Sequence, residues 1–319
     1  MRHNKNNDAL QSIASLVLVA PRLQVLYTPT PKAACTTIKL MLATAEGTHN
    51  PDVANKLAVM HVSHAQTIHH PQVNGLRTLA NFSTRKQRQM LNSPDWLRVT
   101  SLRDPVSRAY SAWENRILMR AHRRTTRLAD LAHDVHTDGQ LDLAASFSHF
   151  AKVLGENTEV FMTDHHFLPQ AALTRPDLID YTTKVRVDQP GELSTLAQLL
   201  TVRSGKTIAP QRLNEGLGMP VDRVCDIDTA NRIMATYAVD YETFGFARRD
   251  WSPTVEPLLL NETEARLLGQ YRRTFERGVS VAREAQRRTG ARYGVRQMRH
   301  AAKKLVRLDT SPTRPKEIF

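Results

Sequence analysis

The segment YTPTPKAACTT, Tyr27 to Thr37, lies between a short apolar run and a stretch with helical periodicity that begins at Ile38. This order predicts a turn from a buried strand into a helix. Amide groups in the first turn of a helix have no partner within the helix, and the helix dipole adds about half a positive charge there. Because Lys32 adds a full charge, the segment predicts a binding site for a phosphate or sulfate group.

The side chains of this loop suit an anion in other ways. Thr36 and Thr37 offer hydroxyl groups at the start of the helix, and the small pair Ala33 and Ala34 lets a ligand approach the backbone. The loop is not a Walker A motif, because it has no glycine and Lys32 comes four residues before Thr36. Taken alone, a purely structural turn that carries one lysine remains the alternative interpretation.

A second segment, WLRVTSLRDPVSRAYSAW, Trp96 to Trp113, repeats the order of strand, polar break and helix. Asp104 is placed to cap the helix and Pro105 to occupy its first position. Ser111 lies about two helical turns beyond the cap, roughly 10 Å along the face on which Arg103 lies. An extended Arg103 and the Ser111 hydroxyl could therefore meet at one phosphate; alternatively, Ser111 only faces solvent.

The two segments together resemble the sulfotransferase family, in particular the branch with the Golgi carbohydrate sulfotransferases and their bacterial relatives. PKAACTT, Pro31 to Thr37 and including Cys35, resembles the loop that binds the 5′-phosphosulfate of 3′-phosphoadenosine 5′-phosphosulfate (PAPS). RDPVSRAYSA, Arg103 to Ala112, resembles the segment that binds the 3′-phosphate, which implies that role for Arg103 and Ser111. The order and spacing of the two motifs match the family pattern.

The resemblance implies an α/β fold, with a P-loop-NTPase-like parallel sheet flanked by helices. It implies transfer of a sulfuryl group from PAPS, as co-substrate, to a hydroxyl of a carbohydrate, glycolipid or similar acceptor. Lys32 would then be catalytic as well as donor-binding. The similarity extends over about residues 24–247 and is weak outside the two motifs.

Histidines are the candidates for the general base, because their pKa lies near neutrality. IHHPQVNGL, Ile68 to Leu76, resembles the connection between the two cofactor motifs in bacterial members, and its matching histidine is His69. DHHFLPQ, Asp164 to Gln170, resembles another family segment and contributes His166. We expect His69 to be the base, with His166 and His61 as rivals.

A further weak match is YTTKVRVD, Tyr181 to Asp188, which resembles a Tyr-led strand of the family and implies a donor contact for Arg186. The segment departs from the family pattern at Lys184 and Val185, where an apolar residue and glycine are usual. The strand prediction is unaffected by this departure.

Metal binding is not expected from the sequence. The polar stretch from Gly47 to Asn92 holds five histidines: His49, His61, His64, His69 and His70. No cysteine or carboxylate is spaced to complete a site with them. The two cysteines of the chain provide neither a disulfide framework nor a Cys-rich metal site, which is typical of a reducing compartment.

The 319 residues are 41% hydrophobic, which suffices for one sizeable α/β domain. We predict an N-terminal extension over 1–23 with a helix over Ile13 to Ala20, the main domain over 24–250, a helical extension over 251–310 and a disordered tail over 311–319. Asn261 is placed to cap a long C-terminal helix that runs to about Thr289.

The chain carries a net charge of +13, and Val281 to Phe319 contain eleven Lys and Arg against three Asp and Glu. This basic end predicts either a peripheral contact with an anionic membrane or a solvated helix packed on the domain. The N-terminal apolar run is too short to span a membrane. The absence of the anchor that eukaryotic Golgi relatives carry favours a cytoplasmic, bacterial-type enzyme, with a peripheral position at the inner membrane if the basic end binds lipid.

Two other function classes fit parts of the pattern. A P-loop-type kinase would share the anion-binding helix start, but it would need a Walker A motif and a carboxylate-held Mg²⁺. A basic nucleic-acid-binding protein would fit the charge, but interleaved aromatic residues and a recognisable binding module are missing, so no nucleic-acid partner is expected.

Overall fold

The computed structural model describes residues 10–58, 64–120, 126–213 and 216–289, with the isolated positions 295 and 298. Its strands are β1 (Leu18–Ala20), β2 (Val25–Thr28), β3 (Arg77–Thr78), β4 (Leu97–Leu102), β5 (His136–Thr137), β6 (Gln140–Leu141) and β7 (Thr183–Arg186). Five of them form the central sheet in the order β3-β1-β2-β4-β7, and β5 pairs with β6 separately.

The central sheet is mixed. β2, β4 and β7 run parallel, with Thr28 opposite Thr100 and Leu102 opposite Arg186. β1 runs antiparallel to both β2 and β3. The predicted parallel sheet is therefore present as a core of three strands, to which an antiparallel edge is added by a hairpin.

Helices surround this sheet, and their bounds follow the chain: α1 (Cys35–Glu46), α2 (Pro51–Ala58), α3 (Pro71–Asn74), α4 (Thr84–Asn92), α5 (Pro105–Trp113), α6 (Thr126–Leu131), α7 (Leu143–Glu156), α8 (Thr158–Phe161), α9 (Gln170–Thr174), α10 (Glu192–Ser204), α11 (Ile227–Thr236), α12 (Ala238–Phe244) and α13 (Glu262–Thr289). Short 3₁₀ turns occur at His64–His69, Leu79–Asn81 and Val221–Arg223, and a π-helical turn follows α5 at Glu114–Leu118. In the part of the chain that these bounds cover, no helix is both long and apolar enough to cross a membrane.

Both predicted strand–turn–helix units are present: β2 leads into α1, and β4 leads into α5. The Asp104 side chain accepts a hydrogen bond from the Ser107 amide at 2.8 Å, and Pro105 is the first residue of α5. At α1, by contrast, the capping position is Ala34 and no side chain caps the helix. The first turn of α1 therefore depends on other groups, or on a ligand, to satisfy its amides.

The predicted helix over 13–20 is wrong in its second half. Residues 10–14 are helical, but Leu18–Ala20 form β1, which pairs with β2 through Val19 and Leu26. A short apolar run fits a buried strand as well as a helix, and only the pairing partner decides between them. Sheet pairing thus begins within the predicted N-terminal extension.

The three largest apolar clusters among the described residues hold most of these elements together. One face of the sheet packs on α1 and α10, and the other packs on the chain before β1 and on α4. The largest cluster lies among α5, α7 and α11, where Trp113, Phe147 and Phe150 are almost fully buried. Burial of such aromatic side chains contributes roughly 1.5 to 3 kcal/mol each, which fixes α5 relative to the sheet.

The predicted long C-terminal helix is confirmed as α13. Asn261 and Glu264 exchange hydrogen bonds between side chain and backbone at 2.9 and 3.0 Å, which forms a capping box. Leu268 and Phe275 are buried against the domain, and Arg272 forms two hydrogen bonds to Asp134. The predicted disordered tail and most of the basic C-terminal segment lie outside the described residues.

Candidate functional site

The carboxyl ends of the three parallel strands lie at the same end of the sheet. The residues predicted for the site follow these strand ends. The loop from Pro31 to Ala34 comes after β2, Arg103 comes directly after β4, and Arg186 is the last residue of β7. Ligands of open α/β sheets bind at this carboxyl edge. The fold thus brings the two predicted motifs to the same place.

The loop after β2 has an unusual backbone. Lys32 and Ala34 adopt left-handed conformations with φ of 67° and 54°, although neither is a glycine. Such residues cost roughly 1 to 3 kcal/mol each and persist only where the surroundings hold them. Two of them within three residues indicate a loop shaped by contacts from outside itself.

Two arginines of the second motif supply those contacts. Arg103 donates from Nη1 to the carbonyl oxygen of Lys32 at 3.3 Å, and Arg108 donates from Nε to the carbonyl oxygen of Pro31 at 3.1 Å. Arg108 also donates from Nη2 to the carbonyl oxygen of His166 at 3.2 Å and is only 1% exposed. The guanidinium of Arg108 therefore joins the first loop to the 164–170 segment.

The backbone of Arg103 is held by the Gln170 side chain. Its amide donates to Gln170 Oε1 at 2.9 Å, and Gln170 Nε2 donates back to its carbonyl oxygen at 2.8 Å. The fully buried Asp240 then accepts from the amides of Gln170 and Ala171 at 2.9 and 2.8 Å. A carboxylate from α12 thus caps the first turn of α9 and fixes the backbone at Arg103.

Lys32 is held in a strongly cationic environment. Burial, and then the charge of Arg116, lower the pKa of Lys32 to about 8, while Cys35 and Glu114 act in the opposite direction. Burial also lowers the pKa of Arg103. Cations that are desolvated beside one another are poised to receive an anion.

The first turn of α1 contacts His69. His69 Nε2 lies 3.1 Å from Thr36 Oγ1, and its Nδ1 lies 3.0 Å from Lys39 Nζ. With Lys39 charged, Nδ1 must accept and the ring proton resides on Nε2. Thr37, expected to face the ligand, instead donates its hydroxyl proton to the carbonyl oxygen of Gln211 at 2.8 Å.

His166 belongs to a half-buried cluster of charged and titratable groups. Its Nδ1 lies 2.7 Å from Asp164 Oδ1, and its Nε2 lies 2.6 Å from Arg116 Nη2. Burial, which the Asp164 carboxylate only partly offsets, lowers the pKa of His166 to about 3, so the ring is neutral at pH 7. Burial disfavours ionised Asp164, but hydrogen bonds from His166 and the charge of Arg116 outweigh it and hold the carboxyl pKa well below its usual range.

Asp164, His165 and His166 bring three ligand-type atoms within 4.8 Å of one another, which makes them a candidate metal group within the described residues. Arg116 argues against a cation there, because its Nε lies 3.6 Å from Asp164 Oδ2 and its Nη2 contacts the His166 ring. A bound metal ion would have to displace this guanidinium or be repelled by it. The arrangement suits an ion pair better than a metal site.

The remaining predicted residues have varied surroundings. Ser111 is half-buried on α5, one residue beyond Tyr110, and Cys35 is a half-buried free cysteine at the start of α1. Arg186 stacks on Phe246, with its guanidinium carbon 4.2 Å from the ring centroid, and donates to the carbonyl oxygen of Phe244. His61 lies outside the described residues.

Several buried polar atoms at this edge have no hydrogen-bond partner among the described residues: Thr30 Oγ1, Tyr110 Oη and Arg116 Nε. Thr30 directly precedes the first loop, and Tyr110 lies within the second motif. Leaving such a group unpaired costs roughly 1 to 3 kcal/mol. Their position beside Lys32 and Arg103 fits an anionic ligand that supplies acceptor oxygens.

Sequence reasoning missed Lys39, Arg108, Glu114 and Arg116. Arg108 lies inside the second motif, one turn beyond Asp104, and Lys39 lies two residues after the first motif, one turn beyond Cys35, so helical spacing could have indicated both. Glu114 and Arg116 lie in the π-helical turn after α5. Such turns are rare in proteins as a whole, but those that occur are often found at functional sites. The residue types around Glu114 carry no local signal for such a turn.

The fold is an α/β protein with a mixed sheet, and the loop that carries Lys32 follows the end of its parallel strand β2, where Arg103 and Arg108 hydrogen-bond to the loop backbone. A sequence profile of the sulfotransferase family matches residues 15–247, and the chain belongs to that family. It is therefore an enzyme that transfers sulfuryl groups, and this assignment takes the place of the kinase alternative. Searches of curated proteins and of solved structures found no match.

Proposed function

We propose that the enzyme transfers a sulfuryl group from PAPS to a hydroxyl of a carbohydrate, glycolipid or similar acceptor. The observation that carries this proposal is the contact between the two motifs: Arg103 donates to the backbone of Lys32, and Arg108 donates to that of Pro31. One ligand with phosphate groups at both ends can therefore reach both motifs. The sulfotransferase family assignment supplies the reaction class.

The donor would bind across both motifs. The loop Pro31, Lys32, Ala33, Ala34, Cys35, Thr36 and Thr37 would hold the 5′-phosphosulfate, and Arg103 with Ser111 would hold the 3′-phosphate. Arg103 provides charge-assisted hydrogen bonds, which are about twice as strong as neutral ones. Arg186 is assigned to the same donor site, although its guanidinium is already engaged by Phe244 and Phe246.

In the transfer step, the acceptor oxygen forms a bond to sulfur as the bond from sulfur to the bridging oxygen breaks. The electron pair of that bond stays on the bridging oxygen, which leaves as part of the 5′-phosphate. Lys32 would stabilise this developing charge, since a desolvated cation acts more strongly there than in water. The acceptor proton passes to a base.

For the general base we propose His69 ahead of His166. His69 is exposed beside Thr36 at the start of α1, where an acceptor hydroxyl could approach. As a base it would have to exchange the contact of Nδ1 with Lys39 for one with the acceptor, because Nδ1 carries the lone pair. The His166 side chain is only 15% exposed, Arg116 Nη2 lies 2.6 Å from both of its ring nitrogens, and its lowered pKa disfavours proton uptake. A role in positioning Arg116 suits His166 better.

The cellular location and the membrane contact of the basic C-terminal segment remain predictions. The exposed side of α13 carries Arg266, Arg273 and Arg277 together with Leu267 and Tyr271. Such a helix is compatible with an anionic lipid surface. No metal is assigned to the reaction.

The deciding experiment is incubation of the full chain with ³⁵S-labelled PAPS and a panel of glycans, glycolipids and small alcohols. Transfer of label to one acceptor class would support the proposal and identify the acceptor. Binding of the desulfated nucleotide, 3′-phosphoadenosine 5′-phosphate (PAP), measured by calorimetry in parallel, tests the donor independently. Absence of PAP binding at millimolar concentration would refute the assignment of PAPS as the donor.

A further inference from the structure

Arg116 is a buried arginine whose hydrogen-bonding capacity is only partly used. It is 5% exposed, its Nε makes no hydrogen bond within the described residues, and its carboxylate neighbour Asp164 is 3.6 Å away. A close arginine–carboxylate pair has hydrogen bonds of about 2.7 to 2.9 Å. Burying a guanidinium without such hydrogen bonds costs free energy. A buried arginine with an unused donor is therefore expected where a bound ligand supplies the missing acceptor.

The position of Arg116 is fixed relative to the donor loop by a chain of contacts. Its Nη2 lies 2.6 Å from the His166 ring, and the backbone of His166 accepts a hydrogen bond from Arg108 at 3.2 Å. The same Arg108 guanidinium donates to Pro31, the neighbour of Lys32, at 3.1 Å. Arg116 is therefore held on the Lys32 side of the site by the 164–166 segment.

Charge supports the same placement. After burial, the charge of Arg116 is the largest influence that lowers the pKa of Lys32, larger than that of Arg103. Two cations in a desolvated space repel each other, and the fold tolerates this only where the surroundings or a ligand compensate. The Asp164 carboxylate offsets Arg116 only in part, because the two groups make no close hydrogen bond.

We propose that Arg116 is a second catalytic cation, which binds the sulfuryl group of the donor while Lys32 acts on the leaving oxygen. The proposal rests on the proposed function. Asp164 and His166 are then positioning residues that aim the guanidinium. As the acceptor oxygen attacks and the bond to the bridging oxygen breaks, Arg116 would neutralise charge on the non-bridging sulfuryl oxygens. The desulfated product PAP has no sulfuryl group, so its binding does not involve this contact.

The test compares Arg116→Gln and Arg116→Lys with the wild type. We expect Arg116→Gln to lower kcat with PAPS at least about 100-fold, the loss typical of removing one preorganised donor in a transition state. PAP affinity should stay within about threefold, and Arg116→Lys should recover part of the turnover because it keeps the charge. Arg203→Gln is the matched control, since Arg203 donates to the backbone of Leu23 and Gln24 at the opposite edge of the sheet.

A second readout does not depend on turnover. The groups that act on the Lys32 charge are Arg116, Cys35, Glu114 and Arg103. Competitive acetylation of Lys32 across pH, read by mass spectrometry, should titrate near pH 8 in the wild type and at higher pH in Arg116→Gln. Glu114→Gln should shift the titration to lower pH, because Glu114 favours the charged form.

The outcomes separate the two proposals. A wild type that binds PAP but shows no transfer from PAPS refutes the proposed function, while the acetylation curves still report on Arg116 beside Lys32. Near-normal turnover in Arg116→Gln, an equal loss of PAP affinity and turnover, or an unmoved Lys32 titration would each overturn the assignment of Arg116.

Discussion

Arg103 donates a hydrogen bond to the carbonyl oxygen of Lys32 at 3.3 Å, although 71 residues separate them in the chain. The amide and carbonyl of Arg103 are both bonded to the Gln170 side chain. The Gln170 side chain therefore fixes the backbone at Arg103, and the Arg103 guanidinium fixes the backbone of the loop that contains Lys32. This arrangement makes Arg103 a brace for the loop as well as a candidate ligand for phosphate.

Removal of the Arg103 side chain should weaken donor binding. We expect Arg103→Ala to lose at least about 1.5 to 3 kcal/mol of affinity for PAP, the range for hydrogen bonds that involve charged groups. Isothermal titration calorimetry measures this directly. Arg175→Ala is the control, because Arg175 forms its ion pair with Asp177 on the surface. Unchanged affinity in Arg103→Ala would show that this segment does not hold the donor.

His69 should matter to the chemical step. His69→Ala is expected to lower kcat at least about 100-fold, since general-base catalysis contributes 10² to 10⁴. Donor affinity and melting temperature should stay near wild type, because His69 is exposed. His64→Ala is the matched control, an exposed histidine in the same 3₁₀ turn. Near-normal turnover in His69→Ala would move the role to His166 or to a carboxylate.

Asp240 should be the most costly of the acidic residues on α12 to remove. Asp240→Ala leaves the buried amides of Gln170 and Ala171 without an acceptor, so we expect a loss of about 2 to 4 kcal/mol of unfolding free energy. Urea denaturation monitored by fluorescence gives the value. Glu242→Ala, an exposed site on the same helix, should change it by less than about 0.5 kcal/mol. Equal stabilities for the two variants would contradict the capping role.

His166 should make the enzyme sensitive to acid. Its pKa is about 3 in the folded chain and about 6.5 when unfolded, so between these values the unfolded chain binds more protons. Stability is therefore lost as pH falls from about 6.5 towards 3. Asp164, whose pKa is also lowered, adds to this loss at the acid end of the range.

Melting temperatures at pH 7 and pH 5 test this contribution. We expect His166→Asn to lose less melting temperature between the two pH values than the wild type, because asparagine does not titrate. Arg116 and His165 disfavour the protonated ring as burial does, whereas the Asp164 carboxylate favours it and only partly offsets them. A pH-dependent loss of the same size in variant and wild type would show that His166 is not the source.

The elements with local signals could be predicted from the sequence. Asp104 and Pro105 mark the start of α5, and Asn261 with Glu264 marks that of α13, because caps and first-turn residues act within four positions of each other. The sequence predicts a helix at β1, because the short apolar run becomes a strand only through pairing with β2. Local chemistry thus predicts helix starts better than strand membership.

The parts of the site that could not be predicted depend on contacts between distant segments. Asp240 supports Gln170 across 70 residues, and Arg116 reaches His166 across 50. No spacing rule connects such pairs in a single sequence. The hydroxyl of Thr37 illustrates the same limit, because the carbonyl of Gln211 that accepts its proton is 174 residues away. Motif residues can be named from the sequence, but their partners cannot.

The capping of α9 by Asp240 has a consequence for the order of events on the ribosome. Both motifs leave the ribosome early, but Asp240, which secures Gln170 and through it Arg103, is made last of these three residues. At about 5 to 20 residues per second, the interval between residues 103 and 240 is roughly 7 to 30 s. During that interval the nascent chain carries Lys32 and Arg103 without the carboxylate that secures the backbone at Arg103. The backbone at Arg103 therefore reaches its folded position only when the second half of the domain has been translated.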